Sequence, residues 1–410
     1  MEKTATEQEE TDTPQGAAAS SPSPGTVALV VAIAHGLNDT YVAFLPPLLP
    51  RLMGKLGLSI TAAAALSMLL SIASSLPQPL LGWLADRRGR RLFVIAGPLL
   101  SGVFLSLIGS APEVEILALL LIVGGLGSAA FHPPGATLAA RVEEGGRSGL
   151  RLSFFSFGGT LGFAVGPLAA VGLVSVFGLE RLWVAMAPGI LWAWVLHQTL
   201  PRGHRDRSHL PSVRPRLLAR RLRGPLGLIF GISAVAAFVQ RAYLTMEPIV
   251  VAEAGGSEAV GALMLSVYLG AQAGGTLVGG FLSDRMNRQK LLALLTFLAV
   301  PTHVLAVALT PGSAPALGMA AAAGFLNMAT LPPIVVWAQE LVPEGAATTS
   351  GIVMGLAWAT GSLGVLATGF FGDLVGARLA TLATMPAFLL ATVLALHPAL
   401  APSSPPTTSP

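Results

Sequence analysis

The segments "GWLADRRGRR" (82–91) and "GFLSDRMNRQK" (280–290) decide the architecture. Each closes an apolar run with an aspartate followed by basic side chains, and Asp86 and Asp284 stand 198 positions apart. Two further pairs share nearly that offset. Pro133–Pro134 in "GLGSAAFHPPG" answers to Pro332–Pro333 in "FLNMATLPPIV", and "GGTLG" (158–162) answers to "TGSLG" (360–364). Three correspondences at one spacing mark a chain built from two related halves.

The composition places those halves in a bilayer. Hydrophobic residues make up 53% of the 410, charged residues only 11%, and the mean hydropathy is +0.71; a soluble chain carries about 25% charged residues. A membrane helix needs roughly 20 mostly apolar residues. Twelve such runs are readable: 26–50, 61–85, 92–111, 116–140, 150–177 and 181–200, then 225–251, 259–282, 290–310, 315–338, 348–372 and 377–396. The expected fold is all-α and integral to the membrane, twelve transmembrane helices forming two parallel six-helix pseudo-repeats with a site between them at mid-membrane.

Arginines orient it. The loops after spans 2, 4, 6 and 8 hold 18 basic residues, whereas the loops on the other side hold only Arg51, Lys55, Arg181 and Arg378. The positive-inside rule then puts both termini in the cytoplasm. Residues 1–25, acidic at Glu7, Glu9, Glu10 and Asp12 and then rich in Ala, Ser and Pro, read as a disordered tail, as do 397–410. Between the halves (26–200 and 225–396) lies an Arg-rich linker, 201–224, read as topogenic and lipid-facing. The basic residues sit in short loops, which argues against nucleic acid as a partner. With no cysteine, thiolate chemistry is excluded. No phosphate-cradling loop appears, and the histidines read as too scattered for a metal site. The chain is expected to be no enzyme, to carry no cofactor or metal, and to be a monomer.

"GWLADRRGRR" between spans 2 and 3 resembles the loop motif of the major facilitator superfamily. "HGLND" (35–39), "FHPPGATLAARVEEGGRSGL" (131–150), "SFGGTLGFAVGPL" (156–168) and "VWAQELVPEGAATTSGIVMGLAWATGSLG" (336–364) are similar to the fosmidomycin-resistance branch of bacterial efflux proteins. The resemblance implies the major facilitator fold, a bacterial inner membrane, and export of drug-like or anionic compounds against inward proton flow. It makes Asp86 a conformational latch facing the start of span 11 near Thr348 to Ser350, together with Gly82, Arg87, Gly89, Arg90 and the repeat residues Asp284 and Arg285. Gly162, Gly166 and Pro167 resemble the core of the antiporter motif of drug exporters, although Ala170 and Val171 replace its trailing glycines; packing alone would also explain them.

Ionisable residues inside a span are functional candidates by default. Here they are Asp39, Arg241 and Glu247, expected in proton coupling, with His35 and His132 beside them. His35 and Asp39, four apart, share a helix face. Asp39 and Arg241 differ by 202 positions, which sets them at similar depth in the two halves, and an ion pair between them, broken by a proton or a substrate anion, is the expected coupling device. His132, before Pro133–Pro134, is expected at a helix break. His35, Asn38, His132, Gln240, Arg241, Tyr243 and Trp358 form the expected substrate site, and Glu340 a gate. A proton-coupled exporter is the leading reading. A proton-linked importer of an organic anion or sugar phosphate, and a membrane sensor that moves nothing, are the alternatives.

Overall fold

The computed structural model describes residues 23–140, 148–201, 220, 222–342 and 346–400. The expected tails lie largely, and the linker mostly, outside these residues. Among the described residues twelve helices are long and apolar enough to cross a membrane. They are span 1 (Pro24–Leu56), span 2 (Ile60–Arg88), span 3 (Arg90–Ser110), span 4 (Val114–Ala139), span 5 (Arg151–Phe177) and span 6 (Leu179–Thr199), then span 7 (Pro225–Glu253), span 8 (Glu258–Ser283), span 9 (Arg288–Ala308), span 10 (Ala314–Leu341), span 11 (Thr349–Val375) and span 12 (Ala377–Ala395).

The packing repeats as the sequence does. Span 1 lies along span 5 and span 7 along span 11; spans 2 and 3 flank span 4, and spans 8 and 9 flank span 10. The halves meet chiefly through span 2 on span 11 and span 5 on span 8. Large apolar side chains such as Leu80, Leu277, Phe370 and Val393 stand exposed on the outside, which is the arrangement lipid requires and water would penalise.

Small residues set the closest approaches. A Cβ on Gly162 would come within 2.0 Å of the Gly36 carbonyl oxygen, so spans 1 and 5 touch backbone to backbone there. Gly166 fits against Thr40 and Ala43 of the same span, and Pro167 faces the seam between the halves.

Proline acts unevenly. Span 4 runs as one α-helix through Pro133 and Pro134, so His132 does not sit at a break, contrary to expectation. The interruption falls in span 10, at Thr330 before Pro332–Pro333. Near its start, span 11 contains a π-helical turn over Ile352–Leu356, whose Val353 carbonyl accepts the Ser233 hydroxyl of span 7 at 2.5 Å.

Replacing Gly162 by Val forces spans 1 and 5 apart and should cost about 1–3 kcal/mol. Thermal unfolding of the purified protein should show a lower midpoint, whereas Gly172→Val, where a Cβ would meet nothing within 4 Å, should leave it unchanged. Equal midpoints for the two variants would contradict the close-packed seam.

Candidate functional site

Asp39 is buried, with 5% side-chain exposure, and three groups converge on it. His35 Nε2 lies 3.2 Å from Oδ2, His132 Nε2 lies 3.4 Å from Oδ1, and the Asn38 amide donates to Oδ1 at 2.9 Å. The Asn38 amide also donates to the Ser128 hydroxyl at 3.0 Å, one turn before His132 on span 4. The donor atoms of His35, Asp39 and His132 all lie within 4.8 Å of one another. Histidines that read as scattered along the chain therefore act as a group.

The remaining ring nitrogens fix the tautomers. His35 Nδ1 lies 2.8 Å from the Phe155 carbonyl oxygen, and His132 Nδ1 lies 2.8 Å from the Ser128 carbonyl oxygen. A carbonyl only accepts, so the network assigns the proton to Nδ1 in both rings. Each Nε2 then turns its lone pair toward the carboxylate, and the contact is attractive only when a proton lies between them. His35 also stacks on Phe155 at 4.0 Å between ring centroids. Span 5 closes the site through Gly159, where a Cβ would meet His35 Nε2 at 2.5 Å and Asp39 Oδ2 at 2.8 Å. At 26% side-chain exposure, His132 is the member through which this cluster meets its surroundings.

The expected Asp39–Arg241 ion pair is not formed: no contact within 4.0 Å joins them, and Asp39 turns into its own half instead. Arg241 points into a cavity of about 40 Å³ at the seam, bordered by Pro46, Met68, Phe163 and Pro167 of the first half and by Leu269 and Ser362 of the second. Its guanidinium has no carboxylate partner among the described residues and lies 5.9 Å from the Trp358 ring. Gln240 and Trp358 border a second, smaller space with Asn327 and Leu331.

Tyr243 is placed differently from expectation. It stacks on Tyr268 at 4.5 Å inside the second half, beside His303, and does not line the Arg241 cavity. Tyr268 donates its hydroxyl to His303 Nε2 at 3.2 Å, since His303 Nδ1 is engaged by the Ala299 carbonyl at 2.7 Å. The Tyr243 hydroxyl and both Glu247 carboxylate oxygens are buried without a hydrogen-bond partner among the described residues.

At the Arg-rich end, Asp86 accepts from Arg90 Nε at 2.7 Å within its own half; the side chains of residues 346–348, where the expected latch would close, lie outside the described residues. Gly89 separates the two helices, and Gly82 packs against Pro133. Arg87 covers the Trp83 ring at 3.9 Å, and Arg285 covers Phe281 at 3.6 Å. Asp284 borders a surface hollow with Asn287 and Arg288. Glu340 pairs with Arg288, which ties span 10 to span 9 within the second half.

Against known proteins, the Major Facilitator Superfamily description matches residues 31–240 and 229–410, and the chain belongs to that superfamily. It is 28% identical to the uncharacterized MFS-type transporter YfnC of Bacillus subtilis, over 86% of this chain and 89% of that one. It is 27% identical to the fosmidomycin resistance protein of Escherichia coli, over 84% of this chain and 85% of that one. In fold it is similar to a bacterial homologue of the human lysosomal transporter Spinster in an inward-facing, unoccupied conformation. The TM-score is 0.75 at 19% identity, covering 92% of this chain and 97% of that one. The chain is a multi-pass membrane transporter of small molecules.

The two buried tyrosines of spans 1 and 7 should respond oppositely to loss of the hydroxyl. Tyr41 donates to the Ala185 carbonyl at 2.8 Å, so Tyr41→Phe should cost about 1 kcal/mol, whereas Tyr243→Phe removes an unpartnered group and should be neutral or stabilising. Thermal midpoints of the two variants measure the difference. A larger loss at Tyr243 would show that its hydroxyl has a partner.

Proposed function

With membership of the major facilitator superfamily as the premise, we propose that this chain is a proton-coupled exporter of small anionic or drug-like compounds in a bacterial inner membrane, its Arg-rich end in the cytoplasm. The observation that carries this reading is the single buried carboxylate of Asp39 shared between two imidazoles. With Nδ1 of both rings committed to carbonyl oxygens, the cluster has two places where a proton bridges nitrogen and oxygen. Gaining or losing one changes the charge of a desolvated site by a full unit, which suits it to sense which side of the membrane is open.

Arg241 supplies the other half of the exchange. An unpaired guanidinium in a largely apolar cavity between the halves attracts an anion, which it binds through charge-assisted hydrogen bonds. Protonation of the Asp39 cluster adds positive charge on the first-half side of the seam, and entry of an anion at Arg241 adds negative charge on the other. Through the field alone these opposite charges favour binding together, so the exchange of one for the other rests on the motion of one half against the other, which makes the two occupancies exclusive. Glu247, buried two turns further along span 7, is the second candidate proton carrier. The export direction is supported by the likeness to a drug-resistance protein.

Inverted vesicles energised by respiration, with a dye reporting the proton gradient, test the reading. Adding fosmidomycin, then a panel of organic anions, should produce dye recovery, and Asp39→Asn should reduce that recovery at least about tenfold while the protein still folds. Full recovery in Asp39→Asn would sink the mechanism. Arg241→Gln should raise the KM for anions about 10–100-fold, the loss of one charge-assisted interaction, and leave a neutral substrate little affected. An equal loss for both substrate types would contradict the anion role.

A further inference from the structure

At the end of the bundle opposite the Arg-rich loops, the halves are tied through a carboxylate and a helix start. Asp373, in the last turn of span 11, accepts the Ile60 amide at 2.7 Å and the Thr61 amide at 3.0 Å. It also accepts the Thr61 hydroxyl at 2.5 Å. Ile60 and Thr61 open span 2, whose preceding residue Ser59 accepts the Ala62 amide at 3.1 Å. The free N–H groups that a helix start presents are thus satisfied here partly by the opposite half. The position is also favourable electrostatically, because a helix N-terminus carries about half a positive charge. A second tie lies nearby: Arg51 Nε at the end of span 1 meets Glu258 Oε1 at the start of span 8 at 2.6 Å. Gly369 and Gly372 bring span 11 directly against Ala64 and Ile60.

The same two helices have a matching carboxylate at their other end. Spans 2 and 11 run antiparallel, so the C-terminal end of each lies at the same end of the bundle as the N-terminal end of the other. Asp86 closes span 2 as Asp373 closes span 11, yet Asp86 is occupied by Arg90 of its own half. Between the two ends, the Ser71 and Ser362 hydroxyls are hydrogen-bonded at 2.6 Å. The pair has one carboxylate tied to the opposite half, one paired within its own half, and a polar contact at the middle.

We propose that Asp373 is the latch that holds the halves shut at the end away from the Arg-rich loops, and that it alternates with Asp86, so that only one of the two is engaged at a time. Rocking about the Ser71–Ser362 contact would withdraw Asp373 from the start of span 2 as it brings Asp86 toward the start of span 11. The proposal rests on the alternating-access reading of the chain. Its geometry explains why both helices carry an aspartate within one turn of their C-terminal ends.

The chain has no cysteine, so spin labels can be placed without background. Gly54→Cys and Ala254→Cys put one exposed label on each half at the latched end, and pulsed electron resonance reads the distance between them in lipid nanodiscs. The parent should show mostly the short distance. Asp373→Ala should raise the ratio of long to short about fivefold, in the range expected for losing a helix cap. Thr61→Val should shift it in the same direction by less, and Asp86→Asn should not lengthen it. An Asp373→Ala distribution that superimposes on the parent's would overturn the proposal; should that variant fail to fold, an unshifted Thr61→Val would do so. The readout needs no transported compound. A shift in a chain that moves no anion would leave the latch standing and remove the transport reading, while no shift in a transporting chain would remove the latch alone.

Discussion

A carboxylate at membrane depth has to be held, and the way Asp39 is held organises the first half of this protein. Water cannot reach it freely, so its oxygens must find donors from the protein. Two come from span 1 itself, His35 one turn before and Asn38 beside it, and the third is His132 of span 4. Each donor is in turn anchored. Phe155 of span 5 holds His35, and Ser128 holds both His132 and Asn38. Span 5 must approach closely enough for its backbone to reach the His35 ring, which is why Gly159 and Gly162 stand where they do. One buried charge thereby fixes the mutual positions of three helices.

The second half answers with a different chemistry. Arg241 occupies the position that the repeat assigns opposite Asp39, but it faces the seam instead of its own half. Its neighbour Tyr243 turns inward to stack on Tyr268. The two halves therefore share a scaffold but not a chemistry: a carboxylate–imidazole cluster lies inside the first, and the second presents a cationic side chain to the seam. Because that division runs across the seam, any motion that opens one end of the bundle changes what Arg241 sees. Ties such as Asp373 on the start of span 2 and Arg51 on Glu258 join the halves at the end away from the Arg-rich loops.

The twelve spans and the repeat were legible in the sequence, because apolar length and internal spacing are written along the chain. Rotation about each helix axis was harder to read. Asp39 and Arg241 fall in the corresponding spans 1 and 7, but which way each side chain turns is decided by packing among residues far apart in the chain. Part of that was recoverable. Arg241 and Tyr243 are two residues apart, hence about 200° apart around a helix, so both could not line one cavity. Likewise, Ser128 lies one turn before His132 and shares its face. Proline misled at His132, since span 4 stays helical through Pro133–Pro134 while span 10 breaks before its own pair. The Asp373 tie had no local signal, because its partners lie 312 and 313 positions away.

The central claim is that Asp39, bridged to His35 and His132, carries the proton that is exchanged for substrate. Counting protons tests it most directly: purified protein in lightly buffered detergent solution, with a pH-sensitive dye, is titrated with a transported anion. The account predicts a stoichiometric change of about one proton per protein on saturation, absent in Asp39→Asn although the anion still binds. A proton change of the same size in Asp39→Asn would place the exchanged proton elsewhere and contradict the account.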